Sequence, residues 1–503
     1  MSFTAQQKNG LTASLQAVLR NSSFISELLG IAAQENHRVY LVGGFIRDSL
    51  VGRSSKDIDL VTARVKDLAS SLATKAGYRC ALIDRKFGTV RLFPSFGHHG
   101  LTEFETVDLS PLRGESIEED LAQRDFTMNA IAVDLSRWHS DDFVELIDPL
   151  EGIIDLLAGR VRACKERTLV EDPLRILRAF RLLSTNDFQI ESQTRVSMVQ
   201  MSQGLGRVAV ERIRDELLLI LSAPDCVRIL RMMDGDNFVK QLLPEFDPMR
   251  GLPQSDHHHQ DVWQHSLSAL ETLETFLGDL RVLLGEYVKE AHDALNHEIA
   301  GGRTRQLMLK LAVLIHDIGK PACRTTDNRG VSHYYGHELV GARLSVSLCS
   351  RLRLSNKEIE FVSRLVRQQT RVAHLFRLAK PPKRALSRFF RLGPGMVWPL
   401  IILFASDFRV TRRARSSGGG DLGILQERIQ GWLDFYSRWI KPREGLRPLV
   451  TGHDLTNYLQ ISPGPNLGKL LNELGELQWE GRINSRDEAL KRAAQLLKKW
   501  EGR

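Results

Sequence analysis

Two aspartates, Asp57 and Asp59, stand one residue apart in a short apolar segment of this 503-residue chain. The apolar neighbours predict a β-strand, in which side chains at i and i+2 point to the same face, roughly 6.5 to 7 Å apart. Magnesium is bound by one or two protein carboxylates together with phosphate oxygens and water. The pair therefore predicts a magnesium site with positions left open for the phosphates of a nucleotide.

A glycine-rich turn precedes the two aspartates. Gly43 and Gly44 permit positive φ and a close approach of backbone N–H groups to phosphate. Arg47 lies near the start of the helix predicted to follow, where its charge and the helix dipole both favour an anion. An Asp-x-Asp sequence alone is typical of a solvated loop, but this turn at this spacing favours phosphate chemistry.

The segment 41–62 resembles the signature of the DNA polymerase β nucleotidyltransferase superfamily, and specifically that of class II tRNA nucleotidyltransferases and bacterial poly(A) polymerases. Residues 120–132, with the run Arg-Asp-Phe-Thr-Met-Asn-Ala, resemble the second motif of that family. The resemblance implies that Arg124 and Asn129 contact the sugar and phosphates of a nucleotide, with Asp125 in support.

A helix is predicted to begin at Pro173 and to run through Leu183, because proline is favoured in the first helical turn. Asp172 and Arg175 would then be neighbours on one helix face, with Arg178 next along it. A carboxylate beside a guanidinium presents acceptors and donors in a fixed plane, which can pair with the Watson–Crick edge of a base.

This segment, residues 171–178, resembles the nucleotide-selecting motif of the same family. The resemblance implies that a protein edge replaces a nucleic-acid template and accepts cytosine and adenine. An aspartate three residues before an arginine is by itself typical of an ordinary surface ion pair. The position of the motif after the metal and sugar motifs, in family order, favours the base-selecting role.

A third acidic residue, Asp108, lies in the segment 104–109, whose alternating apolar residues predict another strand. Glu105 would point to the opposite face of that strand. We therefore expect Asp108 to turn toward the metal-bearing strand and to support the catalytic pair.

The interval from Leu109 to Gln123 is short, and a capping-box pattern at Ser116 and Glu119 predicts a helix start within it. In the resembling family, members that add the whole C-C-A end carry a longer flexible segment here, and members that stop after C-C resemble the shortened form. Addition of CCA, of CC only and of A only are all left open.

Histidines and aspartates in the second half of the chain resemble the HD superfamily of metal-dependent phosphohydrolases. The resemblance implies metal ligands at His265, His316, Asp317 and Asp407, with His337 at the edge of the site. Imidazole and carboxylate together suit manganese, nickel, iron or magnesium, and metal-bound water is a usable nucleophile near neutral pH.

Two features of this region limit the hydrolase interpretation. Glutamines occupy positions 368 and 369, where many HD hydrolases carry another histidine, which argues against two metals. The run His257–His259 is typical of solvated histidines. The alternative is a folded spacer, without hydrolase activity, between the head and an RNA-binding tail.

The net charge of +8 favours a polyanionic partner, because lysine and arginine neutralise phosphates whatever the base sequence. A basic run is concentrated between residues 371 and 415. Its side chains include Arg377, Lys380, Lys383, Arg384, Arg388, Arg391, Arg409, Arg412 and Arg413. Such a run is commonly just a solvated face, so it supports RNA binding without establishing it.

Five cysteines without a C-x-x-C pair argue against zinc ribbons and fit a reducing compartment. The sequence shows neither a signal-peptide pattern nor an apolar run long enough to span a bilayer. We therefore expect a cytosolic protein.

The overall pattern predicts an α+β fold, with a mixed-sheet head followed by helices. Strands are expected near residues 39–42, 57–62, 79–84, 88–93 and 104–109. The expected domains are a nucleotidyltransferase head (1–168), a helical neck that contacts RNA (169–250), an HD domain (251–415), and a linker with a helical tail (416–503). A glycine-rich break is expected at 416–420.

The sequence thus predicts an enzyme that uses CTP and ATP to add CMP, AMP or both to the 3′ end of tRNA without a template. A poly(A) polymerase shares nearly every motif and is the first alternative. The second is an HD hydrolase or RNA-binding protein with an inactive head. Retention of Asp57 and Asp59 together with Arg124, Asp172 and Arg175 argues against that loss.

Overall fold

The computed structural model describes residues 5–85, 88–93, 104–138, 144–184, 188–254, 260–413, 421–443 and 447–501. The chain divides into two compact units, residues 1–223 and 224–503. A mixed sheet forms the centre of the first unit and the second is almost entirely helical, so the predicted α+β class is confirmed. The histidine run 257–259 and the glycine-rich break 416–420 lie outside the described residues.

The first unit contains nine described strands and ten described helices. The strands are β1 (Tyr40–Val42), β2 (Asp57–Thr62), β3 (Arg79–Asp84), β4 (Thr89–Phe93), β5 (Thr106–Pro111), β6 (Ala132–Asp134), β7 (Leu146–Ile147), β8 (Arg160–Val161) and β9 (Gln189–Ile190). The helices are α1 (Ala5–Asn21), α2 (Ser23–Gln34), α3 (Gly44–Leu50), α4 (Val65–Lys75), α5 (Ile117–Ala122), α6 (Gly152–Leu157), α7 (Glu166–Glu171), α8 (Arg175–Leu182), α9 (Ser192–Gln200) and α10 (Val210–Ser222).

Seven strands form one sheet in the order β3-β4-β5-β2-β1-β6-β7. Only β2 and β5 pair in parallel, and the other neighbours are antiparallel. The five strands expected from the sequence all form. Strands β6 and β7 were not predicted, because segments of two or three residues are too short to show a period of two.

The two faces of the sheet are covered differently. Ile58 and Leu60 are buried, and α4 packs against β3, β4 and β5. On the other face, α5 covers one part of the sheet with Ile117 and Leu121, which pack against β1 and β6. The N-cap Ser116 accepts a hydrogen bond from the N–H of Glu119, so the predicted helix start is confirmed.

The second unit consists of helices and two small hairpins. Its helices are α11 (Cys226–Gly235), α12 (Phe238–Leu242), α13 (Val262–Gly278), α14 (Arg281–Leu284), α15 (Val288–Asn296), α16 (Arg305–Ile315), α17 (His337–Arg351), α18 (Asn356–Arg377), α19 (Lys383–Phe390), α20 (Pro394–Arg413), α21 (Asp421–Phe435), α22 (Gly452–Leu459), α23 (Pro465–Trp479) and α24 (Arg486–Glu501). The hairpins pair β10 (Glu298–Ala300) with β11 (Arg303–Thr304), and β12 (Thr325–Thr326) with β13 (Ser332–His333).

Within this unit, α13, α16, α18 and α20 pack against one another, and α17 packs along α18. Helices α22, α23 and α24 share a separate apolar core around Leu455, Leu470 and Leu474. No single helix of the described segments is long and apolar enough to cross a membrane. Lys383–Phe390 and Pro394–Arg412 meet the length and composition criteria only as a pair, which is bent by 113°.

Part of the basic run is occupied by contacts within the protein. Arg388 pairs with Glu476 of α23 at 2.7 Å, and the Nε of Arg384 donates to the same carboxylate at 2.9 Å. Lys383 lies over the ring of Trp439, 4.9 Å from its centre. These three cations therefore hold helices together, and the free positive surface is smaller than the sequence suggests.

Helix α6 begins where only a glycine fits. A Cβ on Gly152 would lie 2.0 Å from the carbonyl oxygen of Thr127. Gly152→Ala should therefore lower the free energy of unfolding by about 1 to 3 kcal/mol through overpacking. Gly206→Ala, with open space around the added Cβ, is the matched control. Urea unfolding followed by circular dichroism measures both, and equal midpoints for the two variants would contradict this packing.

Candidate functional site

The two aspartates of β2 share one face of the sheet. Asp57 and Asp59 are both exposed, while Ile58 between them is buried on the other face. In the parallel pairing with β5, Asp57 lies opposite Thr106 and Asp59 lies opposite Asp108. The register therefore brings three carboxylates onto the same part of the sheet.

Asp108 is held by an arginine of the next strand. Arg91 of β4 lies opposite it and donates two hydrogen bonds, Nε to Oδ1 at 2.7 Å and Nη2 to Oδ2 at 2.8 Å. Thr106 Oγ1 donates to Asp57 Oδ1 at 2.5 Å. Asp108 thus already has an ion-pair partner, whereas Asp57 and Asp59 have none among the described residues and are the pair available to a cation. Arg91 was not predicted as a site residue, although the alternation of side chains along β4 places it on this face.

The electrostatics of Asp59 fit a cation site. The carboxyl is reached by solvent, yet enough protein surrounds it for desolvation to raise its pKa. The negative charges of Asp108 and Asp57 raise the pKa further, and Arg124 and Arg178 oppose them. A divalent cation held by Asp57 and Asp59 would offset this repulsion.

The backbone of Gly43 lies close to both Asp59 and Arg124. Its φ is +84°, and a Cβ there would lie 3.2 Å from Asp59 Oδ2 and 3.4 Å from Arg124 Nη1. A side chain would therefore intrude between the acid and the arginine, in a backbone conformation that glycine alone adopts easily. Gly44 is the first residue of α3, and a Cβ there would contact the guanidinium of Arg47 at 3.5 Å.

Three of the predicted nucleotide-binding residues, Arg47, Asn129 and Asp125, form one connected hydrogen-bond network. Arg47 Nη1 donates to Asn129 Oδ1 at 2.7 Å, and Asn129 Nδ2 donates to Asp125 Oδ1 at 3.0 Å. The other oxygen of Asp125 lies 3.0 Å from Arg178 Nη2. Arg124 pairs with Asp120 at 3.0 Å. The structure therefore joins the second and third motifs through Asp125.

The charge of Asp125 is strongly stabilised. Burial alone would raise the pKa of this carboxyl, but Arg178, the amide of Asn129 and the N–H of Phe126 together lower it to about 2. Asp125 therefore remains ionised throughout the neutral range and fixes both Asn129 and Arg178.

The third motif is arranged differently from the sequence expectation. The backbone at Asp172 is extended, and α8 begins at Arg175, two residues after the predicted start at Pro173. Asp172 pairs with Arg212 of α10 at 2.8 Å and 3.2 Å. The Arg175 guanidinium donates instead to the backbone carbonyls of Gln123 and Arg124.

Asp172 and Arg175 therefore do not form a side-by-side pair, because Asp172 precedes the helix and lies off its face. Asp172 still has a guanidinium beside its carboxylate, but Arg212 supplies it instead of Arg175. Arg212 was not predicted from the sequence, since it lies in a segment that was expected only to form part of the helical neck. Helical spacing carries no signal for a contact between residues 40 positions apart.

The predicted metal ligands of the second unit come together from several helices. His265 Nε2 lies 2.9 Å from Asp407 Oδ1, and His316 Nε2 lies 3.1 Å from Asp317 Oδ2. His337 Nε2 lies at the edge, 3.5 Å from Asp317 Oδ1. Ligand atoms of His265, His316 and Asp317 all lie within 4.8 Å of one another, so these three could share one ion.

Neighbouring polar residues support this cluster. Lys320 Nζ donates to Asp317 Oδ2 at 2.6 Å and to Gln254 Oε1 at 2.6 Å. Gln369, at the position where a further histidine was considered, donates to the carbonyl of His316 at 2.6 Å. Burial opposes the charge of Asp317, but His316 and Lys320 lower the pKa of this carboxyl well below its ordinary value. Gln369 thus fixes the position of the backbone at His316.

Known proteins are similar to this chain in both sequence and fold. Residues 39–162 match the poly A polymerase head domain, and residues 187–250 match the probable RNA and SrmB-binding site of polymerase A. The A-adding tRNA nucleotidyltransferase of Deinococcus radiodurans is 30% identical over 457 residues, which cover 89% of this chain and 93% of the relative. The CC-adding tRNA nucleotidyltransferase of Thermus thermophilus is 30% identical over 456 residues, covering 89% and 91%.

Solved structures share the fold at lower sequence identity. A CCA-adding enzyme in complex with ATP superposes with a TM-score of 0.62 at 22% identity, over 96% of this chain and 98% of the other. The Thermotoga maritima CCA-adding enzyme in complex with tRNA gives a TM-score of 0.58 at 21% identity, with the same coverage.

The Asp125 network predicts a pH-dependent contribution to stability. A pKa lowered to about 2 from 3.8 means that the stabilisation is complete above pH 4 and is lost as the pH falls toward 2. Asp125→Asn should therefore lower the free energy of unfolding by about 2 to 3 kcal/mol at pH 7, with a smaller difference at pH 3.

Urea unfolding at pH 7, 4.5 and 3 tests this dependence. The control is Asp67→Asn, which removes an exposed pair with Arg64 and should cost less than about 1 kcal/mol. A difference between wild type and Asp125→Asn that does not change with pH would exclude the ion pair as its cause.

Proposed function

Because the chain belongs to the family of tRNA nucleotidyltransferases and poly(A) polymerases, we propose that it adds CMP, AMP or both to the 3′ end of tRNA without a nucleic-acid template. The observation that carries the proposal is the placement of Asp57 and Asp59 on one sheet face, directly beside the Gly43 turn and Arg124. Carboxylates, a glycine turn and a cation are the groups that a metal-bound triphosphate requires.

The metal of the head is a divalent cation, and we propose magnesium held by Asp57 and Asp59. The donor set fits, because two free carboxylates suit a hard cation and the crowded negative charge at Asp59 favours one. When bound, the metal activates the attacking 3′-hydroxyl and offsets charge on the leaving pyrophosphate. Asp108, held by Arg91, contributes negative charge from the adjacent strand.

The remaining motif residues bind and orient the substrate in this proposal. The Gly43–Gly44 turn, Arg47 and Arg124 bind the triphosphate, and Asn129 contacts the sugar. Asp172 presents its carboxylate to the incoming base, with Arg212 supplying the adjacent guanidinium. Arg178 pairs with Asp125, and Arg175 donates to the backbone carbonyls of residues 123 and 124, so both arginines fix the position of the second motif.

The extent of addition depends on the segment before the second motif. Strand β5 ends at Pro111 and α5 begins at Ile117, so residues 112–116 alone connect them. This short connection and the curated A-adding and CC-adding relatives support restricted addition over complete CCA synthesis.

The decisive assay offers tRNA ending at the discriminator base, at C or at CC, with labelled CTP and ATP supplied separately. Restricted addition predicts incorporation of one nucleotide type only, whereas a long tail made from ATP alone would establish the poly(A) alternative.

Asp59→Asn should reduce incorporation at least about a thousandfold, since several kcal/mol of charge stabilisation are lost. Asp67→Asn, exposed on α4, should leave it unchanged. Undiminished incorporation by Asp59→Asn would refute the proposed site.

The second unit supports a second candidate activity, because His265, His316 and Asp317 are close enough to share an ion. We propose that residues 251–415 form an HD domain that binds manganese or nickel through these residues and Asp407, with His337 at the edge. When bound, the metal supplies a nucleophilic water for 2′,3′-cyclic or 2′-phosphate ends.

Metal content after dialysis against manganese or nickel tests the HD proposal without an activity assay. Wild-type protein should retain metal, His316→Ala should lose most of it, and Asp327→Asn, an exposed acid elsewhere in the unit, should behave as wild type. Opening of the 2′,3′-cyclic ring to a phosphomonoester, and phosphate release from 2′-phosphate ends, should both follow metal content. Equal metal content in wild type and His316→Ala would support the spacer alternative.

A further inference from the structure

A pocket of about 420 Å³ lies in the second unit, among the N-terminal ends of three helices. Arg305 is the first residue of α16, Gly395 and Met396 lie in the first turn of α20, and Lys357 lies in the first turn of α18. None of these residues belongs to the histidine and aspartate cluster or to the acids of the head. The pocket is therefore separate from both sites described above.

The pocket combines cations with an apolar floor. Lys357, Glu360, Phe361 and Arg364 lie on one face of α18 at helical spacing, and all four line it. Phe361 and Met396 are buried beneath, whereas Lys357 and Arg364 are exposed at the rim. A charged rim over an apolar floor suits a ligand that carries both an anionic group and a ring.

Two of the three pocket cations have no carboxylate partner among the described residues. Arg364 pairs with Glu360 at 3.4 Å, but the guanidinium of Arg305 donates to the backbone carbonyl of Ala294, at 3.3 Å, and to no carboxylate of the described residues. Lys357 makes no ion pair within the described part of the chain. Burial lowers the pKa of Arg305, because no nearby acid compensates for desolvation. A partly buried guanidinium without a counter-charge favours the binding of an anion.

The acids of the pocket are already engaged. Glu360 faces Arg364, and Glu298 accepts a hydrogen bond from the N–H of Gly302 at 2.9 Å. The positive ends of α16 and α20 add to the charge of Arg305, since both helices begin beside it. Arg305 and Lys357 therefore give the pocket two cations that have no acid partner among the described residues.

Gly395 shapes the place that Arg305 occupies. A Cβ at position 395 would lie 2.9 to 3.1 Å from the three terminal atoms of the Arg305 guanidinium. The glycine therefore allows the guanidinium to lie directly against the start of α20. An added methyl group would displace it without changing any charge.

We propose that this pocket binds a nucleotide, with its phosphate held by Arg305 and Lys357 and its base over Phe361 and Met396. The volume is within the range of pockets for small ligands, and two unpaired cations match a phosphate group. The nucleotide is either a free mononucleotide or the phosphorylated end of an RNA, which present the same chemistry. The site is independent of the proposed transfer and hydrolase activities.

Isothermal titration of the full chain with 5′-AMP, in EDTA to remove divalent metals, tests the proposal. Wild-type protein should bind AMP and should not bind adenosine, which lacks the phosphate. Lys357→Glu and Gly395→Ala should each weaken AMP binding at least about tenfold through loss or displacement of a charge-assisted contact. Arg367→Glu, an exposed cation on the same helix outside the pocket, is the matched control and should bind as wild type.

Thermal melts establish that the variants fold. We expect Lys357→Glu to melt as wild type does, because the Lys357 side chain is exposed. Competition by a 5′-phosphorylated trinucleotide identifies an RNA end as the source, and failure to compete identifies a free nucleotide. Equal AMP affinity in wild type, Lys357→Glu and Gly395→Ala would overturn the proposal, as would equal binding of adenosine and AMP.

Discussion

The parallel pairing of β2 with β5 is the constraint on which the head depends. It sets Asp59 opposite Asp108, with Asp57 two residues away on the same face, and so concentrates negative charge on one part of the sheet. Arg91 pairs with Asp108, and Gly43, which has no side chain, allows Arg124 to lie close to Asp59. The charge that remains is that of Asp57 and Asp59, which is the charge a divalent cation requires.

Arg175 and Arg178 of the third motif make contacts within the protein that position the second motif. Arg178 and Asn129 both contact the buried carboxylate of Asp125, and Arg175 is fixed to backbone carbonyls. Because breaking a buried ion pair leaves an uncompensated charge, loss of either Asp125 or Arg178 should be strongly destabilising. In the proposed function, substrate recognition then falls to Arg124 and Asp172.

The sequence predicted what depends on local periodicity and on motif resemblance. It placed five strands, the shared face of Asp57 and Asp59, and the N-cap of α5 at Ser116. It missed contacts between distant segments, such as Arg91 with Asp108 and Arg212 with Asp172, because neither spacing nor composition encodes them. The arginines that bind Glu476 show the same limit, since a basic run does not reveal which charges are paired.

Anomalous diffraction from crystals grown with manganese and a non-hydrolysable CTP or ATP analogue tests the metal site of the head directly. We expect a manganese peak bound by carboxylate oxygens of both Asp57 and Asp59 and by phosphate oxygens of the nucleotide, with Asp108 still paired to Arg91. A nucleotide bound with its phosphates away from β2, or a metal that contacts neither aspartate, would contradict it.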